Sequence, residues 1–118
     1  MAYVDGFVLA VPKQNLDAYK DMARKACEVW LEHGATGYVE AVADDVPYGE
    51  LTSFPRAVMA NDDEIVVFSY ALYQSRAHRD EVMARVMADP RMKNQEYAQV
   101  FDGKRMIWGG FEPFIDKR

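Results

Sequence analysis

The sequence predicts an α+β fold in the order β-α-β-β-α-β. Three observations carry this: four segments rich in β-branched and aromatic residues, two segments with apolar residues at helical spacing, and one long connection in the middle of the chain. The 118 residues, 50% hydrophobic and 28% charged, suit a single domain over 1–118 with a substantial core.

Ala2 to Val11 carries apolar residues in both registers, Tyr3, Phe7, Leu9 and Val11 against Val4, Val8 and Ala10, the pattern of a strand covered on both sides. Pro12 ends it. Asn15 is the expected N-cap of a helix over Leu16 to His33, with Leu16, Tyr19, Ala23, Ala26, Cys27 and Trp30 on one stripe and Gly34 as its stop. Asp17, Asp21, Arg24, Lys25, Glu28 and Glu32 form the opposite, solvated face.

Thr36 to Ala43 reads as the second strand and Glu64 to Tyr73 as the third, the latter again apolar in both registers. Ser75 caps a second helix whose line Val82, Met83, Val86 and Met87 runs to Asp89-Pro90, where Asp89 caps a further turn. Asp102-Gly103 marks a turn before a last strand, Lys104 to Ile115. This is the ferredoxin-like pattern, a four-stranded antiparallel sheet with both helices on one face. Two helices leave the other face uncovered although the strands are apolar there as well. A second copy packed sheet to sheet covers it, so the expectation is a homodimer of the dimeric α/β barrel type.

Composition also excludes classes. A net charge of -5 repels nucleic acid and anionic lipid, and no apolar run approaches the roughly 18 residues of a membrane span. One cysteine and an opening with no leader pattern place the expected protein in the cytoplasm. Two histidines and a lone cysteine make no metal set, Gly109-Gly110 lacks phosphate-loop spacing, and no cofactor is expected.

Three groups are candidates for chemistry. The first is the cluster at 75–80, where His78 sits at the edge of the apolar helix face as a candidate catalytic acid-base group, or as a partner of a neighbouring strand. Arg76 and Arg79 flank it as anion anchors, or are balanced by Asp80 and Glu81. The second is the connection Asp44 to Asp63, too long to be structureless without a reason. It is either a lid, with Phe54 excluding water and Ser53 and Arg56 as ligand contacts, or an arm around the partner subunit. The third is the set of acids within strands, Asp5, Glu40 and Glu112, each of which needs a partner or an edge. Asp5 and Glu40 with Tyr70 and Trp108 would surround a polar pocket if their registers face one interior.

The stretches 3–12 (TyrValAspGlyPheValLeuAlaValPro), 52–57 (ThrSerPheProArgAla), 75–80 (SerArgAlaHisArgAsp), 87–92 (MetAlaAspProArgMet) and 103–112 (GlyLysArgMetIleTrpGlyGlyPheGlu) resemble the YbaA-like bacterial domain of unknown function, over essentially the whole chain. The resemblance implies the dimeric α/β barrel group, whose other branches include cofactor-independent monooxygenases, muconolactone isomerases, haem proteins of the chlorite-dismutase type and proteins without demonstrated activity. Fold does not carry function across these branches. Two readings follow. One is a dimer that binds a small anionic or aromatic molecule beside the barrel, as a cofactor-independent enzyme or a binding protein, with Tyr70 and Trp108 as walls. The other is a non-catalytic interaction or stress-associated dimer.

Overall fold

Strand β1 (Tyr3–Pro12) lies inside the sheet; β2 (Gly37–Val42) and β4 (Ile107–Phe111) form its edges, and β3 (Glu64–Tyr73) joins β1 to β2. All pairings are antiparallel, in the order β2-β3-β1-β4. The two inner strands are those most apolar in both registers, as cover on both sides demands. This computed structural model describes residues 2–93 and 99–118. Its connections carry α1 (Leu16–Glu32), the single turn α2 (Phe54–Ala57) and α3 (Arg76–Ala88).

Residues paired across the sheet share a face, which sorts the side chains into two layers. Tyr3, Leu9, Val11, Val67, Ala71 and Tyr73 point at the helices and are buried against Tyr19, Ala23, Ala26, Val29 and Trp30 of α1 and Val82 and Val86 of α3. Full burial of each large apolar side chain contributes roughly 1.5–3 kcal/mol, so this layer holds most of the fold's hydrophobic stabilisation. The opposite layer is covered at one end only. There Val58, just after α2, packs on Ala10 and Val66, so part of the long central connection folds back over the sheet.

The element ends differ from expectation in two places. Asn15 holds the N-cap position of α1, but its side chain makes no capping bond: a 3-10 turn over Lys13–Asn15 leads into the helix, and the Asn15 side-chain amide donates to the Val100 carbonyl at 3.0 Å. The last strand is shorter than Lys104 to Ile115. Gly103–Arg105 forms a 3-10 turn, with the Asp102 carboxylate accepting the Lys104 N–H at 3.0 Å. At the other end Phe111 faces Val4, near the start of β1, and Pro113 has no N–H to extend the ladder. Helix α1 stops where expected, with Gly34 at φ +117°, and a Cβ there would meet His78 Nε2 at 3.1 Å. Conformation and close approach both require glycine at this point.

Candidate functional site

The residues singled out from sequence do not converge. At the start of α3, Ser75 accepts the His78 N–H at 3.0 Å and His78 Nδ1 accepts the Gln74 N–H at 3.0 Å, while the ring packs edge-on to Tyr73. With Nδ1 accepting, Nε2 carries the proton of the neutral ring, turned toward Gly34. Arg79 reaches back to Asp5 at 3.2 Å and also meets Asp80 at 3.0 Å. Arg76 is exposed beside a shallow hollow that includes Glu112. Arg56 lies elsewhere: its guanidinium covers the Tyr48 ring at 3.8 Å and donates to the carbonyls of Tyr48 and Gly49. Ser53 caps α2 by accepting the Arg56 N–H at 3.2 Å. These donors build the connection itself, so no anion clamp forms between Arg56 and the arginines of α3.

Tyr70 and Trp108 stand in opposite registers, yet both border one apolar hollow. Tyr70 pairs with Gly6 and faces the side away from the helices, whereas Trp108 pairs with Phe7 in the helix-side register and is 59% exposed at the sheet edge. Asp5 and Glu40 do share the helix-side register, two rows apart, but in separate surroundings.

The helix side instead contains a cavity of about 280 Å³ between the sheet and α1. One row of the sheet makes its floor: Glu40 stands opposite Ser69, and Ser69 opposite Phe7. Leu9, Met22, Trp30 and Phe101 close it with apolar surface. Its polar wall is a three-residue cluster. Tyr19 from α1 donates to Glu40 Oε1 at 2.7 Å, and Tyr38 from β2 donates to Glu40 Oε2 at 2.8 Å. Burial first, and then the neighbouring Glu40 charge, push both phenols far above their ordinary range, so they stay protonated donors. Two hydroxyl donors on two oxygens satisfy a carboxylate that the apolar walls alone would penalise. The same Tyr19, Tyr38 and Glu40 also border an outer groove of about 320 Å³ lined by Lys20, Arg24 and Cys27.

A second polar network sits beside the cavity, beneath α3. Asp5 is 1% exposed, and one carboxylate oxygen meets Arg79 while the other has no hydrogen-bond partner among the described residues. Burial pushes this carboxyl up, against the opposing pull of the Tyr73 hydroxyl and the Arg79 guanidinium. Trp30 Nε1 donates to the Tyr73 hydroxyl at 3.1 Å, which links this network to the cavity wall. Asp5 and Glu40 were legible as acids in need of partners. Tyr19 and Trp30 were legible only as members of the apolar stripe of the first helix.

On the uncovered face, Val4, Val8, Tyr70, Leu72, Trp108 and Phe111 surround a wide apolar hollow of about 600 Å³. Phe68 and Phe111 are 43% and 63% exposed there. No helix among the described residues is long and apolar enough to cross a membrane.

Comparison with known proteins agrees with this geometry. Solved structures of similar fold include Rv0793 from Mycobacterium tuberculosis, with a TM-score of 0.61 and 15% identity over 100% of both chains. SnoaB from Streptomyces nogalater, described as a cofactor-independent oxygenase, aligns with a TM-score of 0.61 and 11% identity over 98% of this chain and 95% of that one. A dimeric ferredoxin-like protein from an uncultured marine organism aligns with a TM-score of 0.58 and 13% identity over 94% and 92%. At such identities the likeness shows the ferredoxin-like fold and nothing of the chemistry. The uncharacterized protein YbaA of Escherichia coli K12 is much nearer, 51% identical over 117 residues, which is 99% of this chain and 100% of that protein. With a family model matching residues 2–103 as well, the chain belongs to the family described as "Protein of unknown function (DUF1428)".

Proposed function

We propose that this protein is a cytoplasmic homodimer that joins two uncovered sheet faces and binds a small aromatic molecule in the cavity between the sheet and α1. The observation that carries the reading is the cavity itself: about 280 Å³ walled by Phe7, Trp30 and Phe101, with one carboxylate held ready by two tyrosines. Concave apolar sites with few, well-fixed polar groups are the usual form of small-molecule sites. The dimer half of the reading rests on the exposed phenylalanines of the opposite face, which a second copy would remove from water. The one cysteine, with no disulfide to make within the chain, suits a reducing compartment.

An aromatic ligand fits the walls, and Arg56 is engaged with Tyr48 and Gly49 apart from Arg76 and Arg79 of α3, so the three arginines do not support a common anion site. Should the site be catalytic, Glu40 is the group placed to exchange a proton with the bound molecule, in cofactor-independent chemistry of the kind named for SnoaB. His78 and Arg79 then serve as scaffold for α3.

The test uses Trp30, which becomes the only indole once Trp108→Phe is made. Naphthalene-type probes should quench its fluorescence saturably in a protein of dimeric mass. Filling the cavity with Ala26→Leu should abolish that response while near-UV circular dichroism is unchanged. Quenching indifferent to Ala26→Leu would place binding elsewhere and return the protein to the non-catalytic dimer reading.

A further inference from the structure

Resting on the cavity reading above, the geometry points to a ligand class: we infer that the site selects an aromatic hydrogen-bond donor of the phenol type and rejects aromatic carboxylates. Glu40 is the one charged side chain among the described residues that line the cavity, and a carboxylate only accepts hydrogen bonds. Its two oxygens offer about four lone-pair positions, of which the tyrosine hydroxyls at 2.7 and 2.8 Å take two. The remaining capacity has no protein donor in the hydrogen-bonding pattern described for Glu40, and Glu40 is part of the cavity wall. A bound O–H can use that spare acceptor capacity.

An anion meets the opposite situation. It would add a second negative charge beside Glu40 in a low-dielectric setting, with no Lys or Arg among the described lining residues to offset it. Lys20 and Arg24 line the neighbouring groove that shares Tyr19, Tyr38 and Glu40 with the cavity, and neither is among the cavity's described lining residues. An ether of the same ring keeps the apolar contacts but leaves Glu40 without the added donor. Ser69, opposite Glu40 on the floor, lies where it can accept from or donate to the same substituent.

The experiment compares three molecules of one ring system on the Trp108→Phe protein: 2-naphthol, 2-methoxynaphthalene and 2-naphthoate. Naphthol should bind best, the ether about tenfold or more weakly, as loss of a hydrogen bond to a charged group implies, and naphthoate without saturation. Glu40→Gln removes the charge, so naphthoate should begin to bind and the gap to naphthol should narrow. Equal affinities for all three, still abolished by Ala26→Leu, would overturn the selection while leaving the cavity as a binding site. If none of the three quenches Trp30, the cavity reading and the inference fall together. The comparison of naphthol with its ether needs no substitution at Glu40, so it decides the question even if Glu40→Gln does not fold.

Discussion

The two faces of the sheet are built from the same strands, residue by residue in alternation, yet they differ in kind. The helix side mixes apolar packing with fixed polar groups: Glu40 between Tyr19 and Tyr38, Asp5 against Arg79, Trp30 on Tyr73. The other side is apolar from Val4 to Phe111 and is capped only at the Val58 end. Polar groups inside a core are stabilising only when satisfied and so are placed sparingly, whereas an apolar face stays soluble only when something covers it. The difference separates a face that carries fixed hydrogen-bonding groups from one that offers apolar area alone.

The largest effect should come from the apolar face. Phe68→Asp puts a charge where two sheets would meet, and twofold symmetry repeats it in both copies. A cost of about 4 kcal/mol, close to a thousandfold in association, should turn the proposed dimer into a monomer by light scattering after size exclusion. A variant that remains dimeric at low micromolar concentration would show that this face is not the interface.

The next largest belongs to the helix side. Arg79→Ala strips the partner from a carboxylate that is 1% exposed and should cost about 3 kcal/mol in urea unfolding. Its pH dependence has a definite sign. Burial raises the Asp5 carboxyl in the folded protein, so the folded state binds the proton more readily than the unfolded chain. The stability of the variant should therefore rise as pH falls from neutral through that raised value, because protonation removes the unpaired charge. A deficit that does not change with pH would mean that Arg79 matters for packing alone.

How far these differences were legible in the sequence depended on the range of the interaction. Alternation within a strand is local, so the apolar residues in both registers of β1 and β3 were enough to foresee an uncovered face. The ends depended on tertiary partners: Asn15 turned to Val100, and Arg105 turned to Glu64 rather than continuing a strand. His78, with charged neighbours on a helix end, read as chemistry, yet its own helix cap and the Gln74 N–H absorb it. The candidate cavity lies instead between α1 and the sheet, where Tyr19 meets Glu40. Tyr19 and Glu40 are 21 residues apart, and no spacing rule brings one onto the other. The usable signal was an acid in the helix-facing register of a strand, which must find donors, together with tyrosines on the apolar faces nearby.

Glu64→Gln sharpens the electrostatic side of the comparison by supplying the opposite sign to Asp5. Arg105 grips Glu64 with two bonds of 2.7 and 2.8 Å and holds its carboxyl below the ordinary range. A depressed folded value means that this stabilisation is complete above the unfolded value of about 4.3 and is lost as pH falls through the folded one. The substitution should cost about 2 kcal/mol at neutral pH, and the difference from the parent should close in acid. A gap that persists at low pH would assign the effect to packing around Arg105.

The smallest effect probes the candidate site most finely. Tyr38→Phe keeps the ring that packs against Trp30, 5.8 Å away, and removes one hydroxyl from Glu40. Loss of that bond should cost about 1 kcal/mol of stability. It also leaves Glu40 with one donor fewer, which makes it a stronger acceptor for whatever enters the cavity. Affinity for 2-naphthol should therefore rise severalfold while that for its methyl ether stays level, both read by Trp30 quenching. Equal gains for both molecules would mean that the hydroxyl had only been occupying space, and that the wall made by Tyr19, Glu40 and Tyr38 shapes the cavity without reading the polar end of its ligand.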